Sequence, residues 1–276
     1  MFEKTWGFRL FFWSTLILIG LFIMFPLYWM LNTALKPAAE TLVPTLVPSH
    51  PTLSNFWKVI QDPQLRQYVK NSLFTAGVSS ILATFISAYA GFSFSKFRYR
   101  GRKSFMSAIM ISKMFPYGVL LLSIYILMQR YGLLDSYTSL ILAFVTFTLP
   151  VGTWTLKTYF DEIPDEVLES AKMDGAGWML IIHRIIFPLA LPGLVSVAIF
   201  GFVLSWNDLL YSLTLVTDPA KRTLAPGLVM KYIGESSSDY GGMMAASIMV
   251  SVPVTMIFLV LQRFFIKGLT AGAVKG

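Results

Sequence analysis

The 276-residue chain has no cysteine, which excludes a disulfide framework, a thiolate metal site and a cysteine nucleophile. Its two histidines, His50 and His183, lie far apart and in no metal-ligand spacing. Charge is scarce: Asp, Glu, Lys and Arg make up 13% of the residues, against roughly 25% in soluble domains. No G-x-x-x-x-G-K-[ST] segment is present. Gly101-Arg-Lys-Ser104 shares only its end and lacks both the first glycine and a preceding strand, so the chain holds no nucleotide by that motif. There is also no repeat of roughly 20–50-residue period and no inverted-half symmetry.

Apolar residues are abundant. They make up 55% of the chain, aromatics alone 15%, and the mean hydropathy is +0.66. Disorder needs the opposite composition, so an integral membrane protein with several spans remains. A bilayer core asks for about 20 apolar residues in a helix. Six stretches qualify: 10–31, 71–95, 104–128, 138–159, 188–213 and 243–262. The expectation is an all-α, polytopic chain forming one transmembrane domain over 1–276. The first stretch is longer than the roughly 7–15-residue core of a signal peptide and no A-x-A site follows, so it reads as a retained helix; a span tolerates its Pro26. Residues 32–70, with Pro37, Pro44, Pro48, Pro51 and Pro63, read as an ordered loop with short helical pieces. In the second stretch Ser72, Ala76, Ser80, Ala83, Ser87 and Gly91 fall on one helical stripe, which lets another helix approach closely.

The net charge is +8. The basic run Lys96-Phe-Arg-Tyr-Arg-Gly-Arg-Lys103 is short and wedged between two spans, so it reads as a cytoplasmic loop rather than a nucleic-acid patch. Segments 1–9, 96–103, 157–187 and 263–276 carry thirteen basic residues, and the alternate loops carry eight over a greater length. Both termini and the 160–187 loop are therefore expected on the cytoplasmic side.

That 160–187 loop has its own logic. Pro164 suits a first helical position, and Asp165 and Glu166 suit a positive helix end. Ile163, Val167 and Ala171 share a face. Gly175 can stop the helix in the left-handed conformation, and a second apolar helix runs from Trp178 to Phe187, ahead of Pro188. The segment looks built to pass a force from a cytoplasmic partner into the fifth span.

Glu169-Ser170-Ala171, then Asp174-Gly175-Ala176, then Phe187-Pro188-Leu189 resembles the EAA loop of permease subunits of bacterial ABC importers. Ser170 stands where the name-giving motif has Ala. Met114-Phe115-Pro116, Trp206-Asn207-Asp208 and the tail Gly268-Leu-Thr-Ala-Gly-Ala-Val-Lys-Gly276 are similar to the smaller, six-span permease of maltose/trehalose-type carbohydrate importers. The resemblance covers nearly the whole chain. It implies the type I ABC importer permease fold in the cytoplasmic (inner) membrane, and a transport subunit rather than an enzyme. The implied cargo is a di- or oligosaccharide, moved by alternating access. The implied partners are a second, different permease, an ATPase dimer that carries the ATP and magnesium, and an extracytoplasmic sugar-binding protein. No cofactor on this chain and no nucleic acid are expected.

By position, the resemblance makes Glu169, Ser170, Ala171, Asp174, Gly175 and Ala176 the contact with the ATPase. The tail residues Gly268, Thr270, Gly272, Lys275 and Gly276 would reach between the ATPase subunits, and the polar loop 214–242 would meet the binding protein. A lysine in mid-span costs about 2.5–3.5 kcal/mol. Lys113 therefore either faces the translocation path or a polar subunit interface, or sits in a structural pair. Trp206, Asn207, Asp208 and Tyr211 offer an aromatic face beside polar groups, as sugars require, but an interfacial aromatic belt has the same composition. The carboxylates Asp161, Glu162, Asp165, Glu166 and Glu169 read as a solvated or partner-docking face rather than an acid–base pair. Two alternatives stay open on the residues alone. One is a self-contained secondary transporter or channel using Lys113 and Asp208, and the other is the same ABC fold carrying glycerol-phosphate.

Overall fold

A computed structural model describes residues 5–233 and 239–271, with side chains as far as Val260 apart from Ile257. Among the described residues every regular element is helical. In chain order they are α1 (Trp6–Ala34), α2 (Ser54–Gln61), α3 (Pro63–Lys96), α4 (Arg102–Ile111), α5 (Leu121–Arg130), α6 (Tyr137–Asp161) and α7 (Asp165–Met173). They continue as α8 (Trp178–Ile181), α9 (Phe187–Leu189), α10 (Leu191–Trp206), α11 (Leu210–Leu215), α12 (Leu224–Tyr232) and α13 (Tyr240–Ala271).

Among the described residues, four helices are long and apolar enough to cross a membrane: Trp6–Ala34, Pro63–Lys96, Tyr137–Asp161 and Tyr240–Val260. The pair Trp178–Leu189 and Leu191–Trp206, bent by 80°, gives a fifth when counted as one span. The stretch 104–128 is not one continuous helix. α4 tightens into a 3-10 turn at Ser112–Met114, and Phe115 then turns extended at φ −72°, ψ 127°. Pro116 follows, and its ring disfavours the α conformation in the residue before it; the helix restarts only at Leu121. The stretch 188–213 is also interrupted, between Trp206 and Leu210.

The chain divides into two compact units. The first comprises Met1–Pro63 and Leu228–Pro253. There α1 leaves most of its side chains exposed and buries only its last residues, Asn32 to Ala34. The following loop is ordered by side chains. Buried Lys36 donates to the carbonyls of Val43 (2.8 Å) and Thr45 (3.1 Å), and Asn55 donates to those of Ala34 and Lys36 (2.9 Å each). Lys231 pairs with Asp62 at 2.5 Å.

The second unit comprises Gln64–Gly227 and Val254–Gly276 and is organised on α3, α6 and α10. Every member of the small-residue stripe, from Ser72 to Gly91, is buried. A Cβ on Gly91 would stand 2.9 Å from the Lys157 backbone nitrogen, so α3 and α6 touch backbone to backbone there. Ser79 Oγ and Ser205 Oγ, 2.9 Å apart, join α3 to α10. One apolar cluster forms where α3 and α6 end, around Phe92, Leu156, Phe160 and Ile186. A second forms at the start of α6, around Leu140, Phe144, Phe147 and Tyr211.

Between α8 and α9, residues Ile182–Ile186 form a π-helical turn. Side-chain spacing accounts for it. Ile181 and Ile182 are buried, and so are Ile186 and Phe187 five residues later, while His183 and Arg184 are exposed. Five residues overshoot an α-helical turn of 3.6. The wider turn, closed by i to i+5 bonds, brings both pairs onto one face.

Candidate functional site

The segment 160–189 lies within the second unit. Pro164, extended at φ −58°, ψ 141°, caps α7 from just outside rather than taking its first helical position, and Asp165 and Glu166 occupy the first turn, where negative charge meets the positive helix end. Leu168 and Ala171 are buried against the cluster of Phe92, Leu156, Phe160 and Ile181. The buried face is therefore centred one residue away from the Ile163–Val167–Ala171 line that the sequence suggests; Val167 is only half-buried. Glu166, Glu169, Ser170, Met173 and Asp174 face out, Met173 being 88% exposed.

The helix ends as the glycine predicts. Gly175 has φ +79°; its N–H bonds the Lys172 carbonyl at 2.9 Å, and the Ala176 N–H bonds the Ala171 carbonyl at 3.0 Å. This is the Schellman pattern with a left-handed glycine at C′, and Ala176 packs on the same core as Ala171. Each motif position thus has a local reason. Ala171 is small because it is buried, Gly175 supplies the positive φ, and Glu169 and Asp174 are free to face outward. The Ser170 hydroxyl folds back onto the Val167 carbonyl at 3.2 Å, so serine replaces alanine there without a demand on its surroundings.

Anchors that the motif does not reveal hold this segment to the helices. Lys96, at the end of α3, donates to the Ile163 carbonyl at 2.5 Å and to Asp165 Oδ1 at 2.7 Å. This bond, with the lysine charge, holds the Asp165 carboxyl below the usual carboxylate range. Asp161 accepts from Ser95 Oγ (2.7 Å) and pairs with Lys157 (2.5 Å). Lys172 lies 3.9 Å from the centre of the Trp178 ring, which packs edge-on against Phe97 at 4.8 Å. His183 Nε2 lies 2.8 Å from the Tyr89 hydroxyl, and its Nδ1 lies 2.9 Å from the Met179 carbonyl. Together these tie α7 and α8 to α3 and α6. Sequence reasoning read Lys96 only as part of a basic run; its position at the junction of helix and loop was the available signal.

The residues considered for a substrate path do not gather into one platform. Lys113 is exposed on the 3-10 turn, and Asn207 is exposed. Trp206 is buried and stacked on Phe202 at 5.6 Å. Asp208 is buried and accepts from the Tyr117 hydroxyl (2.7 Å) and the Ser212 N–H (2.8 Å), capping α11 as an N-terminal carboxylate does. Tyr211 is fully buried, and its hydroxyl donates to the Tyr117 carbonyl at 2.8 Å. Asp208 and Tyr211 thus lock the break before α11 to the break after Pro116. Tyr117, missed by the sequence reading, is the common partner.

Just before the start of α6, Asp135 has φ 57°. It accepts from the Thr217 N–H and hydroxyl (2.7 Å each) and from the Asp218 N–H (2.8 Å). These donors lower its carboxyl pKa, the Asp218 N–H most. Asn71 donates to the Ala220 and Arg222 carbonyls at 2.9 Å each, so the first part of the 214–242 loop is fastened from two sides. The tail residues Gly272, Lys275 and Gly276 lie outside the described residues, as do the surroundings of Gly268 and Thr270.

An all-helical membrane chain with a clamped helix–glycine–helix segment between two of its spans defines a transport component. The comparisons agree. Residues 80–271 match the family of binding-protein-dependent transport system inner membrane components, and the chain belongs to that family. It is 36% identical to the inner membrane ABC transporter permease protein YcjP of Escherichia coli, over 97% of each chain. It is 32% identical to the trehalose transport system permease protein SugB of Mycobacterium tuberculosis, over 96% of this chain and 97% of the relative. Among solved structures it resembles a bacterial ABC transporter involved in the import of the acidic polysaccharide alginate. The TM-score is 0.79 at 23% identity, with 96% of this chain and all of the other covered. The fold is that of ABC importer transmembrane subunits, and the family displaces the self-contained transporter reading.

Proposed function

We propose that the chain is the smaller permease of a carbohydrate importer. It pairs with a second, different permease, docks on an ATPase dimer through α7, and receives sugar from an extracytoplasmic binding protein. Both termini and the 160–189 segment face the cytoplasm. The cargo is a di- or oligosaccharide rather than glycerol-phosphate, a choice supported by the trehalose relative. The observation that carries the reading is the two-sided construction of α7. Its Leu168–Ala171 side is buried on the helical core, while Glu166, Glu169, Met173 and Asp174 are presented outward.

The mechanism follows from that construction. ATP closes the partner dimer because it binds the closed state better, and α7 moves with its docking cleft. α7 is held by Lys96, by the Ala171–Ala176 turn and by the shared core. Displacement therefore passes to α3, α6 and α10 together, opening the outer side. Hydrolysis releases the ATP preference and resets the cavity. Lys113 and Asn207, exposed near the two interrupted stretches, are the candidates from the original set for contact with the path.

Copurification in mild detergent tests the reading, with wild type beside Glu169→Lys combined with Gly175→Pro. Wild type should bring down an ATPase and a second permease, and the variant should lose the ATPase by tenfold or more. A wild-type chain that purifies alone, or a variant that keeps the ATPase, refutes the docking assignment.

A further inference from the structure

The coupling reading leaves the basic run at the start of α4 unused. Between α4 and the end of α6 lies a cavity of about 400 Å3, a volume in the range of small-ligand sites. Arg102, Lys103 and Lys157 line it together with Met106, Met110 and the exposed ring of Trp154. Helical spacing orders them. Met106 and Met110 follow Arg102 at four-residue steps along α4, and Trp154 precedes Lys157 by three on α6. One end of the groove is thus cationic, and thioether and indole surfaces line the other.

The charge balance at the cationic end favours an anion. Lys157 is matched by Asp161 at 2.5 Å. Among the described residues, Arg102 Nη1 donates only to the carbonyls of Ser95 (3.4 Å) and Phe97 (3.0 Å), which carry no net charge. Lys103 is exposed. The first turn of α4 has no acidic residue, and Gly101 offers no side-chain cap, so the helix end adds positive potential. A free inorganic anion would use the cations and leave the apolar wall idle.

We infer that this groove binds one anionic phospholipid of the cytoplasmic leaflet, with its phosphate at Arg102 and Lys103 and an acyl chain along Met106, Met110 and Trp154. Basic pockets at this level of a membrane protein recognise lipid headgroups by the same chemistry. The inference rests on the orientation proposed above.

The test uses the full chain with its copurifying partners, reconstituted in phosphatidylcholine vesicles containing brominated phosphatidylglycerol or brominated phosphatidylcholine. Tryptophan quenching is read, with Trp154→Phe giving the share that belongs to Trp154. The expected result is a roughly fivefold preference of the Trp154 share for phosphatidylglycerol, the size of about one cation's attraction to an anionic headgroup. Lys103→Glu should abolish it and Arg102→Gln should weaken it, while Arg98→Gln with Arg100→Gln should leave it in place. Lys103→Glu carries the test if Arg102→Gln fails to fold, because Lys103 is exposed. Equal quenching by the two lipids overturns the site, as does an equal loss in the Arg98/Arg100 variant. Competition by inorganic phosphate overturns the lipid assignment in favour of a free-anion site. Retention of the ATPase in the same samples is scored separately, so the coupling reading and the lipid site can fail independently.

Discussion

Among single residues, Asp135 shows how one carboxylate can organise a loop that its sequence neighbours do not explain. Its three donors come from Thr217 and Asp218, more than eighty positions away. Its left-handed backbone is one that Asp and Asn tolerate better than most residues. Because these donors lower the folded pKa, the carboxylate's stabilising contribution is fully present above the unfolded value of about 3.9. It is lost as pH falls through the lower, folded value. Protection of the Thr217 and Asp218 amides from hydrogen exchange, corrected for intrinsic rates, should therefore stay level from neutral pH to about 5 and fall below about 4. Asp135→Asn keeps the backbone conformation and removes the charge, so its protection should be lower at neutral pH and nearly independent of pH. A wild-type profile that is flat down to pH 2 would show that the charge contributes nothing. Asp135 was not legible as a site, because nothing local marks a residue whose partners lie across the fold.

At the scale of elements, the sequence was most informative where periodicity and local chemistry agree. The stripe from Ser72 to Gly91 is buried along its length, and the glycine stop of α7 sits at Gly175 with the expected φ. Continuity was harder to read. Hydropathy integrates over a window and does not register that Pro116 removes a backbone donor and pushes Phe115 out of the helix. It also reads through Trp206 to Leu210, where Asp208 turns its carboxylate onto the next helix rather than toward a solute. Aromatic and polar composition at 206–211 suited a sugar platform, but composition does not say which way a ring points, and Tyr211 points inward. The stripe supports a quantitative expectation. Gly91→Val places its Cβ against backbone atoms of α6, 2.9 Å from the Lys157 nitrogen and 3.1 Å from the Thr153 oxygen, and neither can move alone. The cost should be about 1–3 kcal/mol. The thermal midpoint in detergent should drop by several degrees, while Gly77→Val, where a Cβ meets nothing within 4 Å, should change it little. Equal midpoints for the two variants would mean that α3 and α6 are not in backbone contact.

At the scale of the whole molecule, the run from Trp178 to Leu189 links the surface helix α7 to α10. The π-helical turn at Ile182–Ile186 bears on which changes of length that link tolerates. A π turn inside an α-helix is an absorbed insertion: one surplus residue is accommodated locally, and the flanking segments keep their faces. Deleting Arg184 should therefore be tolerated. The buried pairs Ile181–Ile182 and Ile186–Phe187 would then stand four apart, the natural α-helical interval, and the complex should assemble with its ATPase. Deleting Ala198 from the middle of α10 offers no such reserve, since it would turn everything on one side of the gap by about 100° and abolish assembly, as copurification and size-exclusion profiles would show. The π turn, a few residues ahead of the 80° bend into α10, is thus the place where this chain can lose a residue without losing register.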